Sequence, residues 1–500
     1  MSAAPADIRQ PVLTALPLAI TALVLFAVAI SLFYEALATS DWPTNAVVWG
    51  GLALGSYAAG LLCLVGASHG ARLGLADWKL GSWILLWYCA AFGISSVTWS
   101  QSQTGTAAEI ATSSVLRALS LVAVGVSGWM LGYLVGPGRP ARRMSARALS
   151  ALRMRFGDEV RGLAAPWILY AVGIAARLAS EATTGTLGYI GNPSSAVGSA
   201  SGYGQLLSLL SLFAPLAVCA AALQVYREQV PFARITLAIL FLAELVFGGL
   251  AGGKQNFVIA ILAVAIPMSA ARRRLPKMAV IASILIFLVI VIPFNQAYRG
   301  AARGGSTTLV PSAAVHDAPA ILRQTLLDQN IAEVVPNSTI YLLKRIREID
   351  SVAIIMQRTG SQIPFSNPEV LVEAPIADIV PRAIWPSKPI LATGYQFSQQ
   401  YYDIPSTTYT SSAITPIGDL YRHGGWIPVI AGMFLLGCGV RLLDDVLDIR
   451  VSPQSIFLIL LISPALIKEE SDWVTLLAAL PATVLIWLLA VSLTFRRRTA

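Results

Sequence analysis

Runs of about twenty apolar residues without an ionisable side chain recur along this chain, the length a helix needs to cross a hydrocarbon core roughly 30 Å thick. Lipid offers the backbone no hydrogen-bond partners, so such runs must satisfy themselves as helices. With 56% of residues apolar and 12% charged, the composition argues against a soluble globular protein. Spans are expected near residues 11–34, 46–67, 82–99, 114–135, 164–181, 203–226, 235–252, 255–270, 278–294, 426–444, 451–467 and 473–495. The fifth, eighth and eleventh are short, and Pro464 interrupts the eleventh, so re-entrant or tilted segments are possible there. The expected fold class is an all-α polytopic membrane protein of about 12 transmembrane helices. Residues 1–294 would hold the first nine, residues 295–425 a large external loop region with short helices, and residues 426–500 the last three with a basic tail.

Lys and Arg placement orients the chain, because short translocated loops avoid positive charge. A cytoplasmic N-terminus gives inner segments that carry Arg9, then Arg72 and Lys79, then seven arginines from Arg139 to Arg161. Further along they carry Arg227 and Arg234, the cluster Arg272 to Lys277, Arg441 and Arg450, and Arg496 to Arg498. The short outer loops hold only Lys254 and Lys468. Both termini are therefore expected in the cytoplasm, and the net charge of +9 is mostly a topology signal. The basic run after Arg139 reads as a cytoplasmic loop and an amphipathic helix beside anionic lipid, and no nucleic-acid partner is implied.

The stretch "GGLAGGKQ" from Gly248 to Gln255 matches all but the last position of the phosphate-cradling loop G-x-x-x-x-G-K-[ST]. Its context fails: no strand precedes it, Gln255 replaces the hydroxyl that would hold magnesium, and the charge rule puts it on the outer face. What remains is a cation among glycines at the outer boundary, suited to a lipid-borne phosphate, or a hairpin turn with a snorkelling lysine. Gly66 to Gly70 spells G-x-S-x-G, again without the strand that a nucleophile elbow needs. The four cysteines fall inside spans and only His69, His316 and His423 offer imidazole, so neither a metal site nor a cofactor is expected.

Ionisable residues within apolar runs are costly and normally face a partner or a site. Arg177 has Glu181 at i+4 on the same face, Arg117 lies near the outer end of the fourth span, and Glu244 is nearer the middle of the seventh. A pairing of Arg177 with Glu181 that merely joins helices is the alternative to a site. The outer region, Asn295 to Gly425, is too long for a plain connector. Within it, Ser338 to Arg358 has an amphipathic helical pattern with Ser338 placed to cap it.

Two stretches in and after that region, "IVPRAIWPSKPILATGYQFSQQYY" and "SAITPIGDLYRHGGWIPVIAGMFLLG", resemble the bacterial O-antigen and oligosaccharide repeat-unit polymerases, the Wzy-type membrane proteins. The resembling elements are P-R-x-x-W-P-x-K-P at Pro381, Arg382, Trp385, Pro386, Lys388 and Pro389, and G-[DE]-x-Y-x-x-x-G at Gly418, Asp419, Tyr421 and Gly425. The turn ending in Lys254 is similar to the family's small-residue turn, which more often ends in Arg. The resemblance implies a glycosyltransferase on the outer side of the cytoplasmic membrane. It would move a glycan from a polyprenyl (undecaprenyl) diphosphate carrier to a hydroxyl of the next carrier-linked unit, with membrane lipid around it and flippase and chain-length regulator proteins as partners.

A lipid diphosphate is a good leaving group, so such chemistry needs cations for the developing charge and a base for the acceptor hydroxyl. Arg382, Lys388, Arg299, Arg303, Lys254, Arg177 and Arg117 are the candidate cations. Arg345 and Arg347 lie on the amphipathic helix, where a solvated face explains them equally. Asp419 is the expected base with His423 at i+4 as the alternative, Glu373 and Asp378 as further candidates, and Tyr421 as a binding residue. A capping role for Asp419 and an interfacial anchor for Trp385 and Tyr421 are the structural alternatives. A ligase using the same donor would look alike; a secondary transporter would usually show two similar halves and a midplane site, and an export partner without chemistry would not need clustered cations beside carboxylates in its outer loop.

Overall fold

The computed structural model describes residues 42–68, 73–99, 108–187, 190–191, 204–303, 311–327, 329–373, 385, 393–405, 411–468 and 470–497. The expected first span and residues Arg382 and Lys388 lie outside the described residues.

Among the described residues the apolar runs are helical. Helices α1 (Trp42–Ser68), α2 (Leu80–Tyr88) and α3 (Thr112–Val135) precede the basic helix α4 (Arg139–Arg155). Strand β1 (Phe156–Val160) leads to α5 (Ala164–Thr184) and the short hairpin of β2 (Thr186–Leu187) and β3 (Ile190–Gly191). Next come α6 (Gly204–Ser211), α7 (Phe213–Leu223), α8 (Ala233–Leu250), α9 (Lys254–Arg272) and α10 (Lys277–Ile286), which runs through a π turn into α11 (Ile292–Arg303). The intervening region forms α12 (Pro311–Leu327), α13 (Ile331–Arg345), α14 (Ile349–Arg358), α15 (Thr393–Tyr402) and α16 (Pro416–Arg422). The chain closes with α17 (Trp426–Val446), α18 (Pro453–Lys468), α19 (Trp473–Thr494) and β4 (Phe495–Arg497), which pairs antiparallel with β1.

Nine helical segments among the described residues are long and apolar enough to cross a membrane. The protein is an all-α membrane protein. The two remaining expected spans are helices of a different kind. α18 has 16 residues, about 24 Å at 1.5 Å per residue, and α5 is a continuous helix of 21 residues whose apolar run is broken by Arg177 and Glu181.

The core is built on α3 and α17, which run parallel with glycines at their crossing. A Cβ on Gly132 would lie 1.9 Å from the Phe434 carbonyl oxygen, and one on Gly437 would lie 2.0 Å from that of Trp129. Small residues let the backbones approach this closely, which supplies packing where lipid gives no hydrophobic drive. α14 packs on α3, with Ile349, Val352, Ala353, Ile354 and Ile355 fully buried.

The segments that charge placement assigns to one side meet at one end of the bundle. Arg142 and Arg441 pair with Asp445 at 3.2 and 2.9 Å, Arg450 pairs with Asp77, and Glu228 accepts the Val160 N–H at 2.8 Å. Asp444, buried there, accepts from the Leu80 and Gly81 N–H groups and the Tyr133 hydroxyl. The opposite end gathers the turn at Lys254, the start of α3, and α13 to α16.

The expected helix from Ser338 to Arg358 is two helices. α13 begins earlier, with Asn330 as its cap accepting from the Ala332 N–H at 3.2 Å, and Ser338 is buried inside it. The chain breaks at 346–348 because Arg347 and Glu348 turn inward and the following Ile-rich turn enters the core.

Candidate functional site

The turn "LAGGK" after α8 is a corner whose geometry is set by its glycines. Gly252 has φ +64°, a conformation open to Gly, and a Cβ there would lie 3.5 Å from the Arg299 Cγ. Asn295 Nδ2 donates to the Gly252 carbonyl at 2.8 Å, and the Tyr298 hydroxyl donates to that of Leu250 at 3.0 Å. These bonds hold the N-terminus of α9 against α11.

Lys254 opens α9 and reaches α13. Its Nζ donates to the Tyr341 hydroxyl at 2.9 Å and lies 4.1 Å from the ring centroid. Burial acts to raise the Tyr341 phenol, but the Lys254 ammonium and Gln296 outweigh it and leave the phenol below its ordinary value.

Beside this clasp lies a polar cavity of about 580 Å³. α11 lines it with Asn295, Gln296 and Arg299, one face of a helix, and α13 with Tyr341, Lys344 and Arg345, also one face. The start of α14, Tyr402 of α15 and residues 411–413 complete the wall. Lys344 and Arg345 are exposed and make no hydrogen bond or ion pair among the described residues. An anion entering here meets Arg299, Lys344 and Arg345 with Lys254 close by, a stronger cationic concentration than any one of these helices provides.

Arg347 also lines the cavity, but its guanidinium is committed. Nε and Nη2 donate to the Asp350 carboxylate at 2.8 to 3.1 Å, Nη1 donates to the Thr98 carbonyl at 2.9 Å, and Trp99 lies beneath it at 5.2 Å. It ties the start of α14 to residues 98 and 99, at the end of the helical turns that continue α2. Burial raises Asp350 above the ordinary carboxylate range despite this fork.

Glu348, absent from the sequence candidates, is 3% exposed and lines the same cavity. Its N–H donates to the Ala91 carbonyl at 3.3 Å, while its carboxyl makes no hydrogen bond or ion pair among the described residues. Burial pushes this carboxyl well above its ordinary range, and the Glu470 carboxylate adds to the rise against Arg345 and Lys468. No signal in the sequence marks it, because the helical periodicity runs unbroken through "KRIREID".

The remaining candidates lie elsewhere. Asp419 is fully buried with both oxygens engaged: Oδ1 accepts from Arg422 Nε at 2.6 Å and Oδ2 from the Trp473 N–H at 2.9 Å. His423 is 3% exposed with Nδ1 2.7 Å from the Asp419 carbonyl, and Tyr421 is buried beside Phe365. This group joins α16 to α19, a structural joint rather than an open proton acceptor. Arg177 pairs with Glu244 of α8 instead of Glu181, at 2.6 and 3.1 Å, with Phe247 at 4.4 Å. That pair lines a separate cavity of about 230 Å³. Arg117 lies by an apolar groove between α1 and α3, the Arg303 backbone ends α11, Trp385 is 40% exposed, and Glu373 is exposed. Asp378 lies outside the described residues.

Fold and site together define a helical membrane protein with a cationic cavity at one end of its bundle. The chain belongs to the family described as Domain of unknown function (DUF8712), which matches residues 189–446 and so includes every residue lining the cavity. No curated protein and no solved structure matches the chain.

Proposed function

We propose that this protein polymerises lipid-linked oligosaccharide repeat units on the outer face of a cytoplasmic membrane. It would transfer the glycan from a polyprenyl diphosphate to a sugar hydroxyl of the next unit. The observation that carries this reading is the cavity of about 580 Å³ in which Arg299, Lys344 and Arg345 converge, at the end of helices apolar enough to stand in lipid. A diphosphate on a lipid reaches the protein at that depth, with its charge at the membrane boundary and its tail in the hydrocarbon.

In this reading the cations hold the diphosphate and take up the charge that grows on it as the glycosidic bond to phosphate breaks. Lys254 adds charge at the N-terminus of α9, where unpaired N–H groups favour an anion. Arg382 and Lys388 remain candidates through the resembling motif. Asp419 and His423 hold α16 in place.

A gel of surface polysaccharide from the host with and without the gene tests the proposal. Loss of long chains with single repeat units retained is the expected result. Loss of all acceptor-attached glycan while long carrier-linked chains accumulate would make it a ligase, and an unchanged gel would reject both.

A further inference from the structure

The polymerisation reading leaves open which group takes the proton from the acceptor hydroxyl. We propose that Glu348 is that group, an inference that rests on the reading above. Of the two carboxylates lining the cavity, Asp350 is held by the Arg347 fork, and Glu348 has no hydrogen-bond or ion-pair partner among the described residues. A buried carboxyl without a partner is costly, and a base needs a carboxyl whose lone pairs are unspent and whose position faces the substrate.

Position and surroundings both fit. Glu348 caps α14 in the turn that directly follows Lys344 and Arg345, the last residues of α13, and all three line the same cavity. In this reading the cations hold the diphosphate and the acceptor sugar occupies the part of the same cavity that Glu348 lines. The acceptor oxygen attacks the anomeric carbon as its proton passes to the Glu348 carboxylate. The bond from that carbon to the phosphate oxygen breaks, and its electron pair leaves on the lipid diphosphate.

The charged and titratable groups around Glu348 are Arg345 from α13, Asp350 on its own helix, Tyr402 from α15, and Lys468 and Glu470 from the α18 to α19 connection. Lys468 is paired with Glu470, which reduces what either exerts on Glu348. Arg345 favours the carboxylate; burial and Glu470 favour the acid. Burial and Glu470 outweigh Arg345 and Lys468, so the carboxyl holds a proton more tightly than an ordinary glutamate.

The test uses the full-length protein in proteoliposomes with a synthetic polyprenyl-diphosphate-linked repeat unit, following chain length and probe binding across pH. Wild type should elongate, with kcat/KM rising with pH along a limb above the ordinary carboxylate range. Glu348→Gln should bind the probe as wild type does but elongate about 100-fold more slowly or worse, without that limb. Glu348→Asp should keep part of the rate on a displaced limb, which decides the matter should the Gln variant not fold. A Gln variant that elongates at the wild-type rate overturns the assignment, as does one that loses binding in proportion to rate. A wild-type protein that binds the probe and never extends it overturns the polymerase reading itself.

Discussion

Single residues in this protein divide by whether their charge is spent. Arg347, Asp419 and Arg177 are committed to Asp350, Arg422 and Glu244, whereas Lys344 and Arg345 are exposed to the cavity. Removing one partner of a buried pair strands the other, at a typical cost of about 3–5 kcal/mol. Arg177→Ala should therefore lower the melting temperature of the detergent-solubilised protein markedly, and the Arg177→Ala, Glu244→Ala double variant should recover part of the loss. Equal stability in the single variant and wild type would contradict the pairing. The raised Glu348 carboxyl carries its own signature. Its contribution to stability is complete below the ordinary glutamate range and is lost as pH rises through its folded value. Wild type should lose stability relative to Glu348→Gln as pH climbs above the ordinary glutamate range, a difference read from melting curves at several pH values. Lys254 and Arg299 were legible in the sequence because a cation beside an apolar run is conspicuous. Glu348 was not, because burial of an acidic residue in a charged stretch depends on where the helix breaks.

Among elements, the contact of α3 with α17 is the tightest constraint. Gly437 has no room for a side chain against the Trp129 carbonyl, so Gly437→Val should force the helices apart and reduce folded yield. Gly439, with open space where its Cβ would be, should accept Val with little change; comparable yields of the two variants would remove the crossing as a constraint. Most spans were legible because length and apolarity alone decide a helix in lipid. The sequence suggests a start at Ser338 because a serine before an apolar run looks like a cap, and only the packed structure puts Asn330 there instead. The break between α13 and α14 was equally hidden, since the periodicity runs through it.

For the whole molecule, the separation of charge into two ends makes a prediction about direction. The end with Arg272 to Lys277 should be cytoplasmic and the end with Ser411 and Ser412 external. A cysteine introduced at Arg273 in a cysteine-free background should resist a membrane-impermeant thiol reagent applied to intact cells, and one at Ser412 should react. The reverse pattern would turn the molecule over and put the cavity out of reach of an external substrate. The segregation could be read from lysine and arginine placement; the cavity could not, because its walls come from α11, α13, α14 and α15, whose meeting depends on tertiary packing.

The burial of α14 against α3 bears on modularity. The stretch between 295 and 425 reads along the chain as an appendage hung between two sets of membrane helices. One of its helices is nevertheless a piece of the central core. Transplanting that stretch into another scaffold would remove a wall from one protein and leave an unfilled apolar face on the graft, so the region travels with its bundle or not at all.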